Sequence, residues 1–163
     1  MKIKGVVLDV DGTLTNGKKY YFSSPTGTVI AKGFSVRDGK GVNLIQKTGV
    51  KVAIITADPW KLIVDRAHDM GIEDIYYHSH DKIADVRKFC EKYNLALSQL
   101  CFIGDDVNDI PLLEVVAFPV AVGDAEPRVK NTVRNRGGLI TKNLGGAGAV
   151  REALEYVMEN NKI

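Results

Sequence analysis

The chain has 163 residues, and its 22 Lys and Arg against 20 Asp and Glu give a formal charge of +2. This length suits one domain with a sizeable core, so we expect residues 1–163 to form a single domain. No run of basic residues interleaved with aromatics occurs, which argues against a nucleic-acid surface. The apolar runs are too short for a membrane span, and we expect no signal segment at the N-terminus. We therefore expect a cytoplasmic protein without nucleic-acid or membrane partners.

Strand-like apolar runs alternate with helix-compatible segments along most of the chain. The strand-like runs lie at residues 3–8, 51–55, 74–77, 100–103 and 118–122. The helix-compatible segments lie near residues 38–48, 60–70, 81–93, 106–116, 126–132 and 147–159. This alternation predicts an α/β fold with a doubly wound, Rossmann-like parallel sheet and helices on both faces. Right-handed crossovers place the carboxyl ends of such strands at one edge, where ligands bind.

Residues 19–22 and 28–31 interrupt the alternation. These two β-prone runs flank Ser-Ser-Pro-Thr-Gly at residues 23–27, which predicts a small β-hairpin inserted at about residues 17–34. Because an isolated hairpin is marginal in water, we expect it to pack on another surface. Either its own domain or a neighbouring subunit can supply that surface.

A pair of acidic residues, Asp9 and Asp11, directly follows the first apolar run. They belong to the stretch Asp-Val-Asp-Gly-Thr at residues 9–13. Side chains two apart on extended backbone point the same way, so both carboxylates can face one small volume. Gly12 allows the sharp turn that brings backbone amides to an anion. Such residues also form ordinary turns, but this combination suits a divalent cation together with a phosphate.

Three later strand ends carry groups with related chemistry. Thr56 ends the run at 51–55, Lys82 opens a helix after the run at 74–77, and Asp105 follows the run at 100–103. A strand-end cap and a surface lysine are the ordinary alternatives for Thr56 and Lys82. Because the topology brings these strand ends to one edge, we expect the residues to converge on a common site.

The cysteines and histidines lack the spacing of a metal or redox site. We expect Cys90, on a helical segment, and Cys101, in an apolar strand, to be structural. His68 shows no signal for a site. His78 and His80 could ligate a metal, but without a third ligand nearby a loop is favoured.

The order Asp-x-Asp, Thr, Lys, Gly-Asp-Asp resembles the four motifs of the haloacid dehalogenase (HAD) superfamily of phosphohydrolases over essentially the whole chain. The resemblance implies a phosphomonoesterase in which Asp9 is the nucleophile and forms an aspartyl-phosphate. Asp11 is then the general acid for the leaving alcohol and afterwards the base that activates water. Thr56, through its hydroxyl and backbone amide, and Lys82 would bind the phosphoryl group.

The same resemblance implies Mg²⁺ as the cofactor, since crowded carboxylates need a cation. Its ligands would be the side chains of Asp9 and Asp105 and the backbone carbonyl of Asp11. Asp106 and Asp109 would orient waters or the lysine.

A narrower resemblance is to the 3-deoxy-D-manno-octulosonate 8-phosphate (KDO 8-phosphate) phosphatases, a cap-less group of this superfamily. Residues 37–39 (Arg-Asp-Gly) and 145–152 carry it, and neither gap between the early motifs has room for a cap domain. The resemblance implies substrate-binding roles for Arg37 and Gly39 beside Thr56 and Lys82. It also implies a homotetramer assembled by the hairpin, in which neighbouring subunits cover the site of a phosphorylated sugar acid.

Two positions depart from that narrower pattern. Asp58 stands where many of these phosphatases have the arginine of Thr-Gly-Arg, and Ala147 where they have a charged or polar residue. An aspartate would repel the carboxylate of a sugar acid. The substrate therefore stays open between KDO 8-phosphate, a 9-phosphorylated nonulosonic acid and another sugar phosphate. A non-catalytic phospho-receiver module is the alternative of a different class, although Lys82 precedes the second acidic cluster, contrary to the receiver order.

Overall fold

Six parallel strands form the central sheet of the molecule, which a computed structural model describes over residues 2–161. Met1, Lys162 and Ile163, the ends of the predicted domain, lie outside the described residues. In chain order the elements are β1 (Gly5–Leu8), β2 (Tyr20–Ser24), β3 (Gly27–Ala31), α1 (Val36–Gln46), β4 (Lys51–Ile55), α2 (Lys61–Asp69), β5 (Asp74–Tyr76), α3 (Lys82–Tyr93), β6 (Leu100–Gly104), α4 (Ile110–Leu113), β7 (Phe118–Ala121), α5 (Pro127–Asn135), β8 (Leu139–Ile140) and α6 (Ala149–Asn160).

Strand β1 lies in the middle of the sheet, whose order is β5-β4-β1-β6-β7-β8. Its residue Val7 pairs with Ala53 of β4 on one side and Phe102 of β6 on the other. All four residues of β1 are buried, as expected for a parallel strand covered on both faces. The prediction of a doubly wound α/β fold is confirmed.

Helices cover both faces of this sheet. On one face α1 packs against α6 and, through Gly39 and Arg66, against α2. On the other face α4 packs between α3 and α5. Within residues 2–161, each helix is too short or too polar to span a lipid bilayer.

Two details differ from the prediction. The segment at 106–116 is divided into a 3₁₀ turn, Val107–Asp109, and the short α4, because the Asp109 side chain folds back onto the backbone N–H groups of Asp105 and Asp106. The sequence analysis also missed β8, whose two residues are too few to show a period. They extend the sheet by pairing with β7.

Strands β2 and β3 form the predicted hairpin, separate from the main sheet. Tyr21 pairs with Ile30, and Phe22 pairs with Val29. Three of these side chains remain largely exposed: Tyr21 by 65%, Phe22 by 55% and Val29 by 52%. The other residues between 2 and 161 therefore leave an apolar hairpin surface uncovered.

Candidate active site

The turn after β1 brings Asp9 against the end of β6. The Asp9 N–H donates to the carbonyl of Ile103 at 3.0 Å, which fixes the position where the strand becomes a loop. Gly12 has a φ of +87°, and a Cβ built on it would lie 1.9 Å from Oδ2 of Asp105. Only glycine permits this approach, so the turn places the first and last acidic motifs side by side.

Lys82, the first residue of α3, reaches this pair from the other direction. The carboxylate of Asp81 accepts the N–H groups of Ile83 and Ala84, both at 3.0 Å, and so caps the helix. Nζ of Lys82 donates to Oδ1 of Asp9 and to Oδ1 of Asp109, each at 2.6 Å. Burial alone would lower the pKa of Lys82, but the two carboxylates outweigh it and raise that pKa. The lysine therefore enters the site as a cation.

Asp9, Asp105 and Asp109 form an acidic cluster in which one carboxylate oxygen of each residue lies within 4.8 Å of the others. Burial, and then the charge of Asp109, raises the pKa of Asp9 to about 7 despite the opposing effect of Lys82. Burial, followed by the charges of Asp9, Asp109 and Asp106, raises the pKa of Asp105 to about 8. So many carboxylates in one buried place favour a bound cation, because each ionised group raises the energy of the others.

The donor set fits Mg²⁺, which prefers hard oxygen ligands. Asp109 already uses Oδ1 for Lys82 and Oδ2 for the N–H groups of Asp105 and Asp106. Asp9 and Asp105 are therefore the better candidate ligands. Asp109 instead holds the lysine and the loop in place.

Lys32 was missed by the sequence analysis although it contacts the candidate acid/base. Its Nζ donates to Oδ1 and Oδ2 of Asp11 at 2.6 and 2.7 Å, and also to Oδ2 of Asp58. The Lys32 side chain is fully buried, whereas that of Asp11 is 39% exposed. In the sequence, Lys32 is one lysine among many and follows a β-prone run. Only knowledge of where the hairpin packs could have indicated its contact with Asp11.

Asp58 is thereby charge-compensated, contrary to the free repelling carboxylate expected from its sequence position. Besides Lys32, it accepts the N–H of Trp60 at 2.9 Å, and Nζ of Lys19 lies 4.0 Å away. Burial would raise the pKa of Asp58, but the hydrogen bonds from Lys32 and Trp60 outweigh it and lower that pKa. Asp58 is thus an ionised partner of the hairpin lysines.

Thr56 is buried at the end of β4, beside this network. Its backbone N–H donates to the carbonyl of Tyr76 at 2.9 Å, so this amide already has a partner within the sheet. The hydroxyl accepts the N–H of Asp58 at 3.2 Å and keeps its own proton for donation. Only the hydroxyl is available to a phosphoryl oxygen.

The structure does not bring the remaining predicted residues to the cluster. Asp106 is exposed and caps the 3₁₀ turn by accepting the N–H of Val107. Gly39 is buried, and a Cβ there would lie 2.8 Å from Nη2 of Arg66, so packing of α1 on α2 accounts for it. Arg37 is exposed and lines a cavity of about 650 Å³ together with Arg151 of α6.

The glycine-rich loop before α6 packs directly on the Asp9 turn. The N–H of Gly146 donates to the carbonyl of Thr13 at 2.9 Å, and a Cβ on Gly145 would lie 1.7 Å from the carbonyl oxygen of Gly12. Ala147 follows these glycines and is exposed. The loop thus supports the site through its backbone.

The histidines and cysteines lie outside the acidic cluster. His80 lies with Lys82 along a cavity of about 410 Å³, and its ring contacts that of His78 edge to face. Cys90 and Cys101 are both buried free thiols.

A buried carboxylate–lysine pair and an acidic cluster at the carboxyl edge of a doubly wound sheet are typical of a metal-dependent phosphohydrolase site. Residues 61–143 match the family of haloacid dehalogenase-like hydrolases, and the chain belongs to this family. That membership removes the phospho-receiver alternative.

Within the family, the chain is similar to proteins that share one name. It is 35% identical over 156 residues to the 3-deoxy-D-manno-octulosonate 8-phosphate phosphatase KdsC of Escherichia coli K12, covering 96% of this chain and 79% of that protein. The crystal structure of the phosphatase of the same name from Yersinia pestis has a TM-score of 0.90 at 32% identity, covering 98% of this chain and 83% of that one.

A third relative shows ligands. The crystal structure of the Moraxella catarrhalis 3-deoxy-D-manno-octulosonate 8-phosphate phosphatase, in complex with a magnesium ion, a phosphate ion and KDO, has a TM-score of 0.89 at 30% identity. The match covers 98% of this chain and 88% of that one.

Proposed function

We propose that this chain is a magnesium-dependent phosphomonoesterase that acts through an aspartyl-phosphate on Asp9. The observation that carries the proposal is the buried Asp9 carboxylate, held 2.6 Å from the ammonium of Lys82 beside the acidic cluster. A carboxylate fixed there can attack phosphorus while the lysine balances the charge on the phosphoryl oxygens.

The reaction divides into two displacements at phosphorus. In the first, an oxygen of Asp9 attacks, the bond from phosphorus to the ester oxygen breaks, and Asp11 donates a proton to the departing alcohol. In the second, Asp11 takes a proton from water, whose oxygen attacks phosphorus, and the bond to Asp9 breaks to release inorganic phosphate. Lys82 stays close to the phosphoryl oxygens throughout, and the Thr56 hydroxyl donates to one of the non-bridging phosphoryl oxygens.

Asp9 and Asp105, with the backbone carbonyl of Asp11, are the proposed ligands of Mg²⁺. When bound, the ion supplies positive charge that polarises the phosphoryl group. Its charge also offsets the burial and the repulsion that raise the pKa values of Asp9 and Asp105. Asp109 holds Lys82 and the loop after β6 in register for this arrangement.

The proposed substrate is a phosphorylated sugar acid, with KDO 8-phosphate first. The relatives named as KDO 8-phosphate phosphatases, at 30–35% identity, support this choice. The pairing of Asp58 with Lys32 supports it further, because a compensated aspartate repels a sugar carboxylate less than a free one. A 9-phosphorylated nonulosonic acid is the second candidate, since Asp58 and Ala147 replace residues expected to contact the sugar acid.

Assembly and location complete the proposal. The exposed apolar side chains of the hairpin, including Tyr21 and Phe22, favour a homotetramer in which neighbouring hairpins bury one another and wall the sites. We further propose that residues 1–163 form one domain and that the protein is cytoplasmic, which suits its two unpaired cysteines.

The test is phosphate release with Mg²⁺ from a panel of KDO 8-phosphate, a 9-phosphorylated nonulosonic acid, glucose 6-phosphate and p-nitrophenyl phosphate. We expect the highest kcat/KM for KDO 8-phosphate, and no release by the Asp9→Asn variant. A higher kcat/KM for the nonulosonic acid phosphate would transfer the substrate assignment to the second candidate. No release from any of the four would contradict the phosphatase proposal.

A further inference from the structure

We propose that Lys32 is a positioning residue for Asp11, fixing the orientation of the acid/base carboxylate while Asp58 anchors the lysine. This inference rests on the proposed function, in which Asp11 moves the protons of both displacements. Through Lys32, the hairpin takes part in catalysis at the active site of its own chain.

The hydrogen-bonding capacity of the Lys32 ammonium is already used by protein groups. An ammonium has three N–H donors, and three carboxylate oxygens lie within hydrogen-bonding reach of Nζ: both of Asp11 and Oδ2 of Asp58. The lysine side chain is fully buried, so it has little freedom to leave these partners. No donor remains for a phosphate or a sugar, and its action is therefore on Asp11.

Asp11 needs such a partner because the rest of the site does not hold its carboxylate. It is absent from the cluster of Asp9, Asp105 and Asp109, and its side chain is 39% exposed. The hydroxyl of Thr15 reaches Oδ1 only at 3.4 Å. A clamp on both oxygens selects one orientation, and proton transfer is sensitive to displacements of about 1 Å.

The clamp is carried by the hairpin. Lys32 directly follows β3, which ends at Ala31, and Trp60 lies beneath both hairpin lysines, with Nζ of Lys19 at 4.8 Å and Nζ of Lys32 at 5.0 Å from its ring centroid. Asp58 joins the hairpin to the end of β4 through the same ammonium. A shift of the hairpin therefore moves the group that orients Asp11.

Two substrates separate positioning of Asp11 from a general structural role. The alkoxide of a sugar phosphate needs a proton to leave, whereas p-nitrophenolate leaves without one. In a reaction with a covalent intermediate, kcat/KM reports the steps up to the first displacement. A loss of general acid positioning therefore lowers kcat/KM for the sugar phosphate and spares it for p-nitrophenyl phosphate.

The decisive variant is Lys32→Met, assayed with p-nitrophenyl phosphate and with whichever sugar phosphate of the panel has the highest kcat/KM. We expect kcat/KM to fall about 10- to 100-fold for the sugar phosphate and less than about threefold for p-nitrophenyl phosphate. The matched control is Lys19→Met, because Lys19 also lies near Asp58 but makes no contact with Asp11 among residues 2–161. It should leave the ratio of the two kcat/KM values within about twofold of wild type.

A second variant keeps the test valid if the single one folds poorly. Lys32→Met leaves the buried Asp58 with only the more distant Lys19, at 4.0 Å, as a cation, and Lys32→Met/Asp58→Asn removes the charge of Asp58. The double variant should keep the selective loss on the sugar phosphate. Any one of three outcomes would overturn the role of Lys32. These are equal losses of kcat/KM on both substrates, a return of the wild-type ratio of the two kcat/KM values in the double variant, and the same shift of that ratio in Lys19→Met. Each of these outcomes requires an active wild type, so they are distinct from a failure of the proposed function.

Discussion

Nζ of Lys82 lies 2.6 Å from Oδ1 of Asp9, although 73 positions separate the two residues in the chain. Both side chains occupy the first position after a change of secondary structure: Asp9 follows β1, and Lys82 begins α3 behind its capping Asp81. The backbone of two regular elements, rather than flexible loop segments, therefore sets the distance between the proposed nucleophile and its cation. This arrangement makes the contribution of each residue separately testable.

Replacing Asp9 by Asn should abolish phosphate release and leave the fold intact. The amide keeps the shape of the side chain but cannot form an aspartyl-phosphate, so we expect kcat to fall by roughly 10⁴-fold or more. Phosphate release gives the activity, and thermal unfolding is the control for the fold. Turnover within about tenfold of wild type would contradict the covalent mechanism.

Lys82→Met should affect both activity and stability. Loss of the cation removes charge stabilisation at the phosphoryl group, which we expect to lower kcat by about 10²- to 10³-fold. It also leaves Asp9 and Asp109 buried without their partner, which should lower the free energy of unfolding by about 3 kcal/mol. Lys88→Met, at an exposed position of the same helix, is the control. Chemical denaturation that gives equal stability for the two variants would argue against a buried ion pair.

Sequence reasoning located these residues because strand ends are readable from pattern. Val6 to Leu8 form a continuous apolar run that stops at Asp9, and the run at 100–103 stops before Asp105 in the same way. Parallel topology then brings both to one edge. Predicting that Asp9, Thr56, Lys82 and Asp105 lie at this edge required no knowledge of side-chain contacts.

The contacts that the sequence did not reveal depend on the directions in which neighbouring segments pack. The hydrophobic periodicity of a sequence does not encode these directions. Lys32 reaches Asp11 because the hairpin returns over the site. The same ammonium compensates the charge of Asp58. The Thr56 amide is hydrogen-bonded to the carbonyl of Tyr76 because β5 pairs with β4 as far as Tyr76. The length of β5 therefore decides whether this amide is free. Each depends on how neighbouring segments meet in three dimensions.

Asp11→Asn should slow both displacements and leave metal binding in place, since the proposed ligand at this residue is its backbone carbonyl. An amide can neither donate the proton to the alcohol nor accept one from water, so we expect kcat to fall about 10²- to 10⁴-fold. Asp65→Asn is the control, because that carboxylate on α2 is 60% exposed and pairs with Lys61 at 4.0 Å. Isothermal titration with Mg²⁺ should give similar affinities for wild type and Asp11→Asn. Normal turnover by Asp11→Asn would remove this residue from the mechanism.

Removal of Mg²⁺ should silence the enzyme, and the stabilisation by Mg²⁺ should grow with pH. Burial and mutual repulsion raise the pKa of Asp9 to about 7 and that of Asp105 to about 8, so the folded state binds more protons than the unfolded state. The stability of the metal-free protein therefore falls as the pH rises from about 4 through these values. Mg²⁺ binds the ionised carboxylates and counteracts the fall.

The measurement is the increase in Tm on replacing EDTA with Mg²⁺, at pH 6 and at pH 8. We expect the larger increase at pH 8, at about 2–4 °C for each kcal/mol of additional stabilisation. The Asp105→Asn variant should lose most of the difference between the two pH values. An increase of the same size at both would show that the cluster does not hold the ion.

The last prediction concerns the apolar hairpin. Tyr21 and Phe22 are 65% and 55% exposed in the single chain, and burial of such surface contributes about 25 cal/mol per Å². We expect wild type to be a homotetramer in light scattering at micromolar concentration, and Tyr21→Ser/Phe22→Ser to shift it towards smaller species. Val115→Ser, at an exposed apolar position outside the hairpin, should leave the mass unchanged. Because Lys32 follows the same hairpin, the dissociated variant should also lose activity on sugar phosphates more than on p-nitrophenyl phosphate. A wild type that is monomeric and fully active would contradict both the hairpin interface and the walling of the site by neighbours.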